Sequence, residues 1–166
     1  MSELPYLAAT ELRQHYLSGA LSPVEVAIAL LERIDKLNTT LNAYVTVTAE
    51  LALKQARAAE ARYAAGAPLS LDGIPFSLKD LTPTKGIRTT RGSLLYENWI
   101  PDYDAPLAER LYAQGGVLLG KTNTPEFGWK GDSGNRVCGP TQNPWRHGRT
   151  SGGSSGGAAA AVAAGL

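Results

Sequence analysis

Cysteine is nearly absent from this chain. Cys138 is the one cysteine among 166 residues, and it is accompanied by two histidines. A single thiol cannot form an internal disulfide, and no Cys/His cluster suggests a structural zinc site. Cys138 is therefore expected as a small, buried or half-buried thiol. An excess of charge is also lacking. Lys and Arg number 16 against 15 Asp and Glu, a net charge of +1, which gives no electrostatic case for nucleic acid or an anionic membrane as partner. No apolar run is long enough to span a bilayer. The opening residues, Met1 to Pro5, carry neither the basic stretch nor the apolar core of a secretory leader. A cytoplasmic, metal-free and cofactor-free protein is the resulting expectation. No internal repeat is visible.

What is present suits a globular protein. Hydrophobic residues make up 43% and charged residues 19%, and the length is enough for one domain with a real core. The first part reads as helical. Leu7, Leu12, Tyr16 and Leu17 form an apolar stripe at helical spacing, predicting a helix over residues 6–20 that Gly19 ends. Ser22, Pro23 and Glu25 form a capping box with proline at the first helical position. Val26, Leu30, Ile34 and Leu37 follow as the buried face of a helix that frays near Asn38. Residues 41–47 are apolar and β-branched and predict a strand, and residues 48–65 predict a third helix.

From residue 70 the character changes. Short apolar segments alternate with glycine and proline turns. Strands are expected at 74–78 and 117–119, a helix at 104–114, and a polar loop at 120–123. Residues 126–149 are expected to be mostly irregular. Helix–strand alternation after a helical start indicates the α/β class. At the end, Thr150 to Gly157 hold four glycines and three serines, and Ala158 to Ala164 is a strong helix former. A glycine-rich loop that opens a helix is an oriented polar site and not a tether.

Three features compete for chemistry. Residues 115–122 formally match the phosphate-binding pattern G-x-x-x-x-G-K-T. The context fails, because Val117-Leu118-Leu119 reads as a strand and Lys121 opens no helix. Lys121 then belongs to a polar loop leaving a buried strand. Lys79 follows an apolar strand and adjoins Asp80. It is either a surface lysine whose stem packs on apolar atoms or a buried one, whose ammonium burial would disfavour, leaving a neutral general base. Ser154 alone is a hydroxyl in a turn. Paired with a lysine it becomes half of a proton-transfer system.

Four blocks then carry a resemblance. Gly73-Ile74-Pro75-Phe76-Ser77-Leu78-Lys79-Asp80, Gly120-Lys121-Thr122-Asn123-Thr124-Pro125-Glu126-Phe127-Gly128, Gly139-Pro140-Thr141-Gln142-Asn143-Pro144-Trp145 and Ser151-Gly152-Gly153-Ser154-Ser155-Gly156-Gly157 resemble, in order and spacing, segments of the amidase signature family. The resemblance implies an N-terminal helical region, residues 1–69, followed in residues 70–166 by the first part of a mixed-sheet α/β core that is incomplete at its C-terminus. It implies amide hydrolysis or transfer through a Ser–Ser–Lys triad and an acyl-enzyme. Lys79 then resembles the triad lysine and Ser154 the bridging serine, which follows a cis peptide bond. Ser155 would support the loop by hydrogen bonding, and Gly128 would lie in the segment lining the acyl site.

In the family the nucleophile sits in a later Gly-Gly-Ser turn that also supplies oxyanion-hole amides. These 166 residues contain no such turn, and Ser133, Ser151 and Ser155 do not occupy that motif. The expectation is an N-terminal portion of an amidase acting on a small-molecule amide, inactive by itself. The alternatives are the amidase subunit of a glutamyl- or aspartyl-tRNA amidotransferase and a non-catalytic binding protein. Unpaired strand edges would favour self-association.

Overall fold

The computed structural model describes residues 4–166. Of the expected helical region 1–69, residues 1–3 lie outside the described residues. The predicted helix over 6–20 is divided. A 3₁₀ turn occupies Leu4–Tyr6, and helix α1 runs Ala9–Ser18. Gly19 ends it in the left-handed conformation, with φ of 74°, as a helix-terminating glycine does. Helix α2 spans Pro23–Leu41. Its capping box is reciprocal: Glu25 N–H donates to Ser22 Oγ at 3.1 Å, and Ser22 N–H donates to the Glu25 carboxylate at 2.8 Å. The helix outlasts its expected end near Asn38, because Asn42 adopts the left-handed conformation and its N–H closes on Asn38 O. The strand expected from residue 41 shortens accordingly to β1, Tyr44–Val47.

Helix α3, Ala49–Ala64, leads through a turn to strand β2, Pro75–Lys79. Asp72, fully buried in that turn, accepts hydrogen bonds from the Arg62 guanidinium and from Leu69 N–H. This fastens the end of α3 to the start of β2. Helix α4, Pro106–Ala113, precedes strand β3, Val117–Thr122. Helix α5 covers Gly156–Ala164. The sheet order is β1-β3-β2, with β1 antiparallel and β2 parallel to the central β3.

Strand β3 corrects one expectation. Gly120-Lys121-Thr122 is the second half of the central strand and not a loop. Lys121 pairs with Leu78, and Thr122 pairs with Lys79. The register shifts between Phe76 and Ser77, opposite Leu118 and Gly120, so β3 carries an extra residue there, the signature of a bulge. Strict alternation would send residue 121 to the side of Val117 and Leu119. The bulge returns it to the face of its neighbour Leu78.

The two sheet faces have different partners. Val117 and Leu119 join Leu12, Tyr16, Val26, Leu30, Ile34 and the small residues Ala52, Ala56, Ala160, Ala161 and Ala164 in the main core. Full burial of Val26, Leu30 or Ile34 stabilises by about 1.5–3 kcal/mol each. Helix α5 has almost no polar side and is mostly buried, with Ala159 and Val162 exposed. On the other face Leu118 and Leu78 pack with Ala108 of α4. No helix among the described residues is long and apolar enough to cross a membrane.

Candidate active site

Lys79 is the last residue of β2, and strand alternation turns it away from Leu78 and toward the glycine–serine loop. Its Nζ lies 2.6 Å from Ser154 Oγ. Both residues are half-buried. Burial pushes the Lys79 pKa below its ordinary 10.5, because the ammonium loses hydration. No carboxylate among the described residues forms an ion pair with it. The adjacent Asp80 is turned to the opposite face, where its Oδ2 accepts the Thr90 N–H at 2.9 Å.

The loop holds Ser154 by close backbone approach. The Gly153–Ser154 peptide is cis. A Cβ at Gly153 would sit 2.3 Å from Asp132 O and 2.5 Å from Asp132 N. A Cβ at Gly157 would sit 2.3 Å from Asn123 N. The chain on either side of Ser154 therefore lies flat against the segment after β3, which only glycine permits. The buried Ser133 hydroxyl meets Ser151 Oγ at 3.1 Å and ties the loop from behind. Ser155, expected to give this support, provides no side-chain cap to α5. It is exposed, with its hydroxyl open to solvent.

Gly128 also belongs to this constellation. It has φ of 72°, and a Cβ there would overlap Leu81 Cδ1 at 2.6 Å while lying 3.9 Å from Lys79 Nζ. The structure thus brings Lys79, Ser154 and Gly128 together from three separate stretches of the chain.

Beneath them lies a polar network that sequence reading missed. Asn123, fully buried, donates from Nδ2 to Gly139 O and Thr141 Oγ1, each at 3.0 Å. Its Oδ1 accepts from Asn135 Nδ2 at 2.7 Å and from Thr124 N–H at 2.9 Å. Its carbonyl accepts the Gly157 N–H at 3.3 Å. Asn135 in turn binds Thr124 O and the amides of Val137 and Cys138. Cys138 is half-buried, as expected of the lone thiol, and burial pushes its pKa up. No local pattern in the sequence signals this network, although Asn123 falls inside a family-like block. Among the described residues no three His, Cys, Asp or Glu side chains gather where they could share a metal ion.

A lysine amine and a serine hydroxyl in contact can pass a proton between them. A family model described as Amidase matches residues 25–166 of the chain. The chain belongs to the amidase signature family. Among its relatives is a glutamyl-tRNA(Gln) amidotransferase subunit of Carboxydothermus hydrogenoformans, 47% identical over 98% of this chain and 34% of that protein. The acylamidase of Rhodococcus erythropolis is 44% identical, again over 98% of this chain and 34% of the relative. A solved bacterial aryl acylamidase of the amidase signature enzymes superposes with a TM-score of 0.88 at 32% identity, over 95% of this chain and 33% of its own. The chain spans about a third of the length of the amidase signature proteins it matches.

Proposed function

We propose that this chain forms the N-terminal part of an amidase that cleaves carboxylic amide C–N bonds through a Ser–Ser–Lys triad and an acyl-enzyme. The observation that carries the reading is the 2.6 Å contact between Lys79 Nζ and Ser154 Oγ, with burial disfavouring the charged lysine. In the neutral form Lys79 accepts the Ser154 hydroxyl proton along this contact. Ser154 then accepts a proton from a nucleophilic serine supplied outside these residues. That serine attacks the amide carbonyl, and the relay returns the proton to the departing amine. Gly128 borders the acyl site, where a side chain would collide with Leu81 beside Lys79. The substrate class is a small-molecule amide, handled in the cytoplasm.

The test is acylation of the full-length protein by a serine-reactive fluorophosphonate. Lys79→Ala should abolish labelling without unfolding the protein. Retained labelling removes Lys79 from the mechanism. On its own, the 166-residue chain is expected to hydrolyse no simple amide and to take no fluorophosphonate, because Lys79 and Ser154 are a base and a relay without their nucleophile. Labelling at any of its serines contradicts this.

A second reading is favoured by the 47% identity to a glutamyl-tRNA(Gln) amidotransferase subunit. The released amine would then pass to an acceptor instead of to solvent. Free ammonia as the end product of the full-length protein supports hydrolysis, and its transfer to a charged tRNA supports the second reading. Strands β1 and β2 are each paired on one side only among the described residues, so the isolated chain is expected to self-associate through them. A monodisperse monomer in sedimentation would contradict that.

A further inference from the structure

Lys121 has no part in the relay, yet it is among the largest fully buried side chains described. It completes the formal G-x-x-x-x-G-K-T pattern, and no phosphate site accounts for it. The bulge in β3 turns its side chain to the sheet face opposite Lys79. There its Nζ donates to Thr82 O, Thr84 Oγ1 and Thr89 Oγ1 at 2.5, 2.9 and 2.8 Å. Those partners span the loop that leaves Lys79, and both threonine side chains are fully buried. A lysine presents three N–H donors, and all are used here. A buried amine is costly unless so satisfied.

The same loop is fastened at a second point. Thr90 donates from N and Oγ1 to Asp80 Oδ2 at 2.9 and 2.5 Å, and Arg91 N–H donates to Asp80 O at 2.9 Å. Arg91 O accepts the Phe127 N–H at 2.8 Å. The Arg91 guanidinium stacks on Tyr96 and Trp99, 4.7 and 4.5 Å from their centroids. Tyr96 packs edge-on to Phe127 at 6.0 Å. Phe127 precedes Gly128, where an added Cβ would lie 3.9 Å from Lys79 Nζ. Thr82 N–H also donates to Lys79 O at 2.9 Å. The loop therefore joins the end of β2 to the turn that bears Gly128.

We propose that Lys121 is a positioning residue that anchors the loop of residues 82–91 beneath the sheet and thereby sets the Phe127–Gly128 turn against Lys79. Its three donors replace what a hydrophobic contact could not supply, a fixed orientation of two threonines and one carbonyl. The inference builds on the amidase reading for its catalytic meaning. The coupling from Lys121 to the turn is independent of it.

The test uses amide hydrogen exchange in the full-length protein, so that activity is not the first readout. Thr89→Val removes one hydroxyl partner at nearly constant shape, and Thr89→Ser retains it. Thr89→Val should accelerate exchange of the Phe127 amide at least tenfold, with the buried amides of Val117 and Leu119 unchanged, and Thr89→Ser should restore it. Lys121→Met should do the same more strongly. Acceleration confined to residues 82–91, or spread evenly over Val117, Leu119 and Phe127, overturns the proposal. So does an unchanged Phe127 amide, or a Thr89→Ser variant that behaves like Thr89→Val. Fluorophosphonate labelling of Thr89→Val should slow by a similar factor. If Lys79→Ala leaves labelling intact, the amidase reading fails, while the exchange result still decides the coupling.

Discussion

Replacing Asn123 by Asp exchanges one NH₂ group for an oxygen, and the structure makes that exchange severe. Nδ2 faces Gly139 O and Thr141 Oγ1, each at 3.0 Å, and more distantly Asn42 O at 3.5 Å. The Thr141 hydroxyl proton is already given to Asn42 O at 2.7 Å, so it cannot turn to serve a new oxygen without breaking that bond. The substituted oxygen meets acceptors and no donor in a fully buried place. Two lost hydrogen bonds at about 1 kcal/mol each, with an unsatisfied buried acceptor at about 1–3 kcal/mol, sum to roughly 3–5 kcal/mol. This is a large share of the ~5–15 kcal/mol that holds a domain folded. The loss should depend on pH. Burial and the facing acceptors raise the carboxyl pKa in the folded state, so between its unfolded and folded values the folded chain binds more protons. Stability of the variant then falls as pH rises through that interval and recovers as pH is lowered, because the protonated oxygen can donate to Gly139 O. Urea midpoints at pH 5 and pH 8, for wild type and Asn123→Asp, measure both effects. A variant within 1 kcal/mol of wild type at pH 8, or a deficit that does not change with pH, would refute the reasoning.

Gly153→Ala should cost about 1–3 kcal/mol as an overpacked contact, because its Cβ would meet Asp132 backbone atoms at 2.3 Å. Gly131→Ala, which has nothing within 4 Å, should stay within about 0.5 kcal/mol of wild type, and equal effects in the two urea titrations would contradict the packing account. Desolvation by burial lowers the Lys121 pKa from its ordinary 10.5 to about 8. The unfolded chain binds more protons in that window, so stability should rise with pH across it. Lys121→Met should flatten the rise, leaving the share that the lowered Lys79 pKa supplies, and a variant with the wild-type slope would contradict it. Cys138, its pKa pushed up by burial, should react with iodoacetamide at neutral pH more slowly than a free thiol. Alkylation at the rate of a small thiol in solution would show that burial does not protect it.

The helices were legible because their signals are local. Ser22, Pro23 and Glu25 announce α2, and the alanine run announces α5. The end of α2 was not, because Asn42 in the left-handed conformation carries no apolar signal. Strand β3 was half legible. Val117-Leu118-Leu119 reads as buried, but Gly120, Lys121 and Thr122 read as loop residues. Their burial depends on threonines at 84 and 89 and on a bulge, which are tertiary facts. In the site, Lys79, Ser154 and Gly128 came from family-like blocks, whereas the residues alone left Lys79 open between a surface and a buried role. The Asn123–Asn135 network was invisible, since an asparagine's worth lies in its partners. The family resemblance implies loop support from Ser155. The structure instead ties the loop through Ser133 and Ser151, 18 residues apart in the chain.

The proposed role of Lys79 requires that it be held so that it can lose its proton to serve Ser154. Selective ¹³C labelling of lysine and titration of the Lys79 Cε resonance tests it directly, with Lys79→Arg used to assign the signal. The expected result is a midpoint below the ordinary lysine value of 10.5 and a resonance that responds to Ser154→Ala. A midpoint at or above 10.5, or a resonance indifferent to Ser154→Ala, would contradict it.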